Sequence, residues 1–296
     1  MKREIEGIIV AMVTPFDRRE RIDKSGLREI IDYLISNGVH GILPMGSQGE
    51  FYALSTKDKF ALMDAVIEEI NGRVLVIPNT GCITTRDSIE LSRYAEKAGA
   101  DAVSVITPFF ISPSQEELYH HYGAICKSVD IPVLAYNNPG RTGGTQLSPS
   151  TVNRLANNYT NFRGIKDNSG DLTLVAEMIR ITPRGFKVIM GRDTLIFGGL
   201  MYGTAGAISA TANVAPKLVT EIYEAYKAGE YSKARESQLK LAPLRSAFAL
   251  GTFPVVVKEA LNMMGYKAGN CRKPVLSLSE EGRRELRQIL LDMEIL

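Results

Sequence analysis

Two hydrophobic patterns alternate along the chain. Short, nearly unbroken apolar runs fall at 8–13, 41–45, 74–78, 102–106, 132–136, 163–166, 187–190 and 207–209. Runs of this kind predict strands buried on both faces, as in a parallel sheet. Between them lie longer segments with apolar residues at helical spacing. After the first run, Leu27, Ile30, Ile31, Leu34 and Ile35 recur on one face, with Asp23 placed to cap the helix and Gly38 to end it. Ser55-x-x-Asp58, Thr84-x-x-Asp87 and Ser114-x-x-Glu117 have the spacing of capping boxes, and Ser148-Pro149 offers a cap with proline in the first helical position.

Eight strand–helix units in series predict a closed (β/α)8 TIM barrel over 1–222, with a doubly wound open sheet as the rival. Beyond that the strands stop. The segments 231–250, 254–264 and 279–296 are helical in pattern, broken at Pro243, Gly251 and Gly269. They predict a C-terminal helical extension over 223–296, docked on the barrel and carrying an ordinary solvated charged face.

Composition narrows the class only a little. The chain has 296 residues, 45% hydrophobic and 23% charged, the balance of a globular protein with a substantial core. A net charge of +2 without a basic block implies neither a nucleic-acid partner nor an anionic membrane surface. Cys82, Cys126 and Cys271 have neither disulfide nor zinc spacing, which suits reduced thiols in a cytoplasmic protein. The first apolar run is short, follows acidic residues and lacks a small-residue cleavage site, so it reads as a strand and not a signal peptide. His120 and His121 are adjacent on a helix and diverge, and His40 is isolated, so no metal site is expected.

Candidate chemistry gathers at the carboxyl ends of the strands, where a barrel keeps its active site. Side chains alternate in a strand, so Lys166 points into the barrel if Ile165 and Asp167 point out, and Tyr136 does so if Ala135 and Asn137 do not. An ammonium facing the inside of a sheet is costly unless it is paired or gives up its proton. A neutral amine can attack a ketone to form a Schiff base. Gly46-Ser47-Gln48-Gly49-Glu50 makes a tight loop whose N–H groups, with the Ser47 hydroxyl, can receive a carboxylate. Arg141 can grip a second carboxylate with its fork. Gly191-Arg192-Asp193 and the backbone around Ile208 can line a small ligand.

Taken singly, each feature has a plainer reading: a strand-end lysine in solvent, a core tyrosine, an ordinary turn, a surface arginine. Together they suggest Lys166 condensing with a 2-oxo acid held on the Ser47 loop. The resulting enamine would add to an aldehyde, with Tyr136 moving the protons.

Gly46-Ser47-x-Gly49-Glu50, Tyr136-Asn137-x-Pro139, Gly164-Ile165-Lys166-Asp167 and Gly206-Ala207-Ile208-Ser209 fall in the order and spacing of one family. Over essentially its whole length the chain resembles the dihydrodipicolinate synthase and N-acetylneuraminate lyase family of pyruvate-dependent aldolases. The resemblance implies a barrel, commonly a homotetramer or dimer, acting through a lysine–pyruvate imine with no cofactor and no metal. It also implies that Lys166 forms the imine and Tyr136 shuttles protons. Ser47 and the amide of Gln48 would hold the pyruvate carboxylate, with Gly191 and the Ile208 carbonyl near the substrate.

Arg141, within Tyr-Asn-x-Pro-x-Arg-Thr-Gly, resembles the dihydrodipicolinate synthase branch, where that arginine holds the carboxylate of the aldehyde. That branch has threonine at the Gln48 position. At the Phe110 position it has a tyrosine lent across the subunit interface. The run Gly-Ser-x-Gly-Glu-Phe is similar to aldolases and dehydratases of 2-keto-3-deoxy sugar acids or 4-hydroxy-2-oxoglutarate. A regulatory barrel that binds a 2-oxo acid without turnover is the reading outside enzymes.

Overall fold

The computed structural model describes residues 4–296. Its strands are β1 (Gly7–Ala11), β2 (Gly41–Leu43), β3 (Leu75–Val76), β4 (Val103–Ile106), β5 (Val133–Asn137), β6 (Phe162–Asp167), β7 (Lys187–Met190) and β8 (Gly206–Ser209). They form one parallel sheet in the order β3-β2-β1-β8-β7-β6-β5-β4. The two ends meet through a parallel bridge between Asn79 and Ser104, with Ser104 N–H donating to the Pro78 carbonyl at 3.0 Å and Thr80 N–H to the Ser104 carbonyl at 2.8 Å. The sheet is therefore a closed barrel. Strand β3 is shorter than its apolar run because Pro78 has no N–H for a ladder.

Alternation sorts each strand as the sequence requires. Ile9, Leu43, Leu75, Ile77, Ala102, Leu134, Ile189 and Ile208 fill the interior as one cluster. Their neighbours Ile8, Val10, Val103, Val105, Val133, Ala135, Ile165 and Val188 face the helices in the larger core. Those helices are α1 (Lys24–Ser36), α2 (Thr56–Ile70), α3 (Thr85–Ala98), α4 (Gln115–Cys126), α5 (Pro149–Asn158), α6 (Leu172–Ile181), α7 (Ile196–Tyr202) and α8 (Pro216–Lys227).

Asp23 accepts from the N–H groups of Ser25 and Gly26, and full capping boxes close at Ser55/Asp58 and Ser114/Glu117. At Thr84/Asp87 only half of the box forms. Thr84 accepts from the Asp87 N–H, the Asp87 carboxylate does not bond the Thr84 N–H, and Arg86 meets that carboxylate at 3.3 Å.

The C-terminal helices are α9 (Tyr231–Ser246), α10 (Val255–Met263) and α11 (Glu280–Asp292). Pro243 does not break α9, contrary to its expected effect. It sits in the last turn, where the carbonyl it leaves without a donor belongs to exposed Leu239 and can be solvated. This region is bound to the barrel by polar contacts. Lys258 on α10 meets Glu50 at 2.6 Å, both fully buried, and Arg272 donates to the Ala53 carbonyl and to Asp58.

Candidate active site

The carboxyl ends of the strands surround a cavity of about 290 Å³. Ser47, Gln48, Tyr136, Arg141, Lys166, Gly191 and Ile208 all line it. A larger groove of about 950 Å³, bordered by parts of α1, α8, α9 and α11, contains none of them.

Register brings the two central side chains together. Tyr136 on β5 pairs with Lys166 on β6, so both point inward at the same height. Each is about 95% buried, and the Lys166 Nζ lies 4.1 Å from the centre of the Tyr136 ring. Among the described residues no carboxylate comes within 4.0 Å of that nitrogen. The neighbouring Asp167 faces away from the cavity. Its carboxylate is taken by Ser169 and by Asn137, and burial raises its pKa above the ordinary value against those bonds.

The Ser47–Gln48 loop is held in shape from both sides. Met45 and Glu50 adopt left-handed backbone. A Cβ on Gly49 would stand 2.9 Å from the Met12 carbonyl, so only glycine lets the loop lie against β1. Thr14 Oγ1 donates to the Gly49 carbonyl at 2.7 Å, and the Glu50 carboxylate is anchored by Lys258 and by the Arg272 N–H. The Ser47 hydroxyl and both polar atoms of the Gln48 side chain have no hydrogen-bond partner among the described residues. A site that holds polar groups this way is poised for a polar ligand. Gly191 serves β7 similarly, since a Cβ there would stand 2.8 Å from the Asp167 carbonyl.

The mouth is cationic. Arg141 stacks on the Phe253 ring at 4.4 Å, and Arg192 and Arg245 share the rim. Arg245 comes from α9 and lies 3.9 Å from Asp193, so the C-terminal region supplies lining and not only a solvated face. Burial lowers the pKa of Arg245 against the pull of Asp193, and Arg192 and Arg141 lower it further. Burial raises that of Asp193, opposed by the Ser209 hydroxyl, Arg245 and the Ala210 and Thr211 N–H groups.

Sequence reasoning missed Arg245, Phe248 and Phe253, which reach the cavity from far along the chain. It also passed over Asn138 and Asn168, although each stands two residues beyond an inward-facing side chain and so shares its face. That spacing was the available signal. Among the described residues no group of three or more His, Cys, Asp and Glu is placed to hold a metal, and no helix is long and apolar enough to cross a membrane.

A buried lysine beside a phenol at the carboxyl end of a closed barrel fits a lyase of the aldolase type. The model of the dihydrodipicolinate synthetase family matches residues 4–293. The 4-hydroxy-tetrahydrodipicolinate synthase of Methanopyrus kandleri is 40% identical over 99% of this chain and 98% of its own. A crystal structure of dihydrodipicolinate synthase is 39% identical and superposes with a TM-score of 0.95 over 99% of this chain and 100% of its own. A prophage protein of E. coli K12 from the same family, solved in complex with pyruvate, is 33% identical with a TM-score of 0.95 and covers 99% of both chains. The chain belongs to the dihydrodipicolinate synthetase family, and it is a lyase of the aldolase type.

Proposed function

We propose that the protein condenses pyruvate with a carboxylate-bearing aldehyde, or runs that reaction in reverse, through an imine on Lys166. The Lys166 nitrogen attacks the ketone carbon. The former carbonyl oxygen then takes up protons and leaves as water, giving a protonated imine. Loss of a proton from the adjacent methyl group yields an enamine, whose carbon bonds to the aldehyde carbon. Hydrolysis then frees a 4-hydroxy-2-oxo acid and regenerates the amine. Ser47 and the Gln48 N–H receive the pyruvate carboxylate, Tyr136 carries protons, and Gly191 and the Ile208 carbonyl line the reacting end. Arg141 takes the carboxylate of the aldehyde.

The observation that carries this reading is a buried amine with no carboxylate within 4.0 Å, beside a phenol and an unpartnered serine hydroxyl. Treatment with pyruvate and borohydride is expected to add a reduced pyruvyl mass at Lys166. Absence of that adduct, with the protein folded, ends the proposal.

Relatives named as 4-hydroxy-tetrahydrodipicolinate synthases support aspartate semialdehyde as the partner. One observation favours a hydroxylated sugar acid instead. The rim carries Arg141, Arg192 and Arg245, while its carboxylate, Asp193, is engaged by backbone N–H groups and Arg245. Such a lining suits an anionic substrate without an ammonium group. Assays with pyruvate plus aspartate semialdehyde, against cleavage of 2-keto-3-deoxygluconate, 4-hydroxy-2-oxoglutarate and N-acetylneuraminate, separate the two.

Phe110 supports assembly as a homotetramer or dimer. It is 94% exposed on left-handed backbone, a strained apolar residue suited to burial by another subunit. Light scattering tests this. The three free cysteines fit a cytoplasmic protein.

A further inference from the structure

The Tyr136–Lys166 pair is not the last inward-facing pair between β5 and β6. One residue past the end of each strand, two beyond Tyr136 and Lys166, stand Asn138 and Asn168, and their side chains are joined. Asn168 Nδ2 donates to Asn138 Oδ1 at 3.1 Å, and Asn138 Nδ2 donates to the Tyr136 phenol oxygen at 2.7 Å. Asn138 is 4% exposed, and its main chain is pinned as well, its carbonyl accepting from the N–H groups of Arg141 and Thr142 and from the Thr142 hydroxyl. Asn168 is fixed by its own N–H, which donates to the Asn137 carbonyl at 3.0 Å. The amide of Asn138 is therefore oriented before any substrate arrives.

We propose that Asn138, held by Asn168, is a positioning residue for Tyr136. This rests on the phenol's role in proton transfer argued above. With its oxygen occupied by an N–H donor, the phenol must direct its own O–H away from Asn138 and into the cavity, where Lys166 and the substrate meet. The same N–H stabilises the phenol oxygen as its proton leaves and negative charge develops. The bond breaking is the phenol O–H and the bond forming is from that proton to the substrate oxygen that departs as water. The proton lost by the attacking amine returns to the phenol; the second proton that the departing water needs comes from solvent, which leaves the imine protonated. A fixed donor removes the reorientation that a free hydroxyl would need at each transfer.

Exchange of the pyruvate methyl protons in D2O, followed by proton NMR, reports imine and enamine formation without a second substrate. Asn138→Leu is expected to slow exchange about 10- to 100-fold, less than the roughly 10²- to 10⁴-fold of a whole proton-transfer contribution because the phenol itself remains, with the pyruvate KM within about 3-fold of the parent. Asn138→Asp keeps the size but offers oxygen where the N–H stood, and is expected to fall as far. Asn168→Leu frees the anchor and should cost less. The deciding measurement is the double variant: on a Tyr136→Phe background, Asn138→Leu is expected to change the residual rate less than about 2-fold.

The inference fails if Asn138→Leu multiplies the loss on that background as strongly as alone. It fails equally if Asn138→Leu raises the pyruvate KM at unchanged rate, which would make Asn138 a substrate contact. Full exchange in Tyr136→Phe would overturn the role of the phenol itself. Loss in Tyr136→Phe with none in Asn138→Leu or Asn138→Asp would overturn only the role of Asn138.

Discussion

Lys166 and Lys258 are both buried, and each lies over an aromatic ring, Tyr136 at 4.1 Å and Phe16 at 4.2 Å. They differ in the company of the nitrogen. Lys258 has the Glu50 carboxylate at 2.6 Å and the Asn270 carbonyl at 2.9 Å. Burial lowers its pKa, and Glu50 pulls it back. Lys166 has a phenol ring, a cavity and, among the described residues, no carboxylate within 4.0 Å. One lysine is tied by an ion pair that holds the C-terminal region against the Ser47–Gln48 loop. The other stands at the bottom of a cavity with no carboxylate within 4.0 Å among the described residues, where a small ligand can reach it. Burial is common to both; what separates the two is where a carboxylate stands.

That contrast can be broken first at Lys166. Lys166→Met is expected to abolish pyruvate-dependent turnover, by at least about 10³-fold, while the denaturation midpoint holds because no ion pair among the described residues is lost. Steady-state kinetics and urea denaturation check both halves, and a large loss of stability would overturn the contrast. Lys258→Met is the mirror case. Leaving Glu50 buried and unpaired is expected to cost about 3–5 kcal/mol of stability, read from denaturant midpoints.

His121 is a third buried base, and unlike Lys258 it has no carboxylate partner among the described residues. Its Nδ1 meets Thr85 Oγ1 at 2.9 Å, and burial lowers its pKa to about 4. The unfolded chain takes up this proton at its ordinary value near 6.5, before the folded chain does, so stability is complete above that pH and declines as pH falls toward about 4. The full difference is about 3 kcal/mol. Denaturation between neutral pH and pH about 4.5 should show this slope in the parent and a shallower one in His121→Gln. The smallest effect is expected from combining Glu50→Gln with Lys258→Met. With both charges gone, stability should return to within about 1–2 kcal/mol of the parent, and failure to recover would show that Lys258 does more than balance Glu50.

Much of this was legible in the sequence because it depends on local geometry. Alternation placed Tyr136 and Lys166 on one face, capping residues marked the helix starts, and the glycines around Ser47 marked a tight loop. Asn138 and Asn168 obey the same alternation, but nothing local says that their amides would join and turn one N–H onto the phenol. Arg245 could not be read at all, because its place at the mouth depends on how α9 folds back over the barrel.

The sequence by itself determined which side chains face into the barrel and which family the chain resembles, since strand period and motif order are properties of the chain alone. Only the tertiary structure decided the company each buried group keeps. Glu50 and Lys258 are far apart in sequence and touch in space, and among the described residues no such partner reaches Lys166. The strength of a charge–charge contact depends on distance and surroundings in three dimensions, and the sequence records neither.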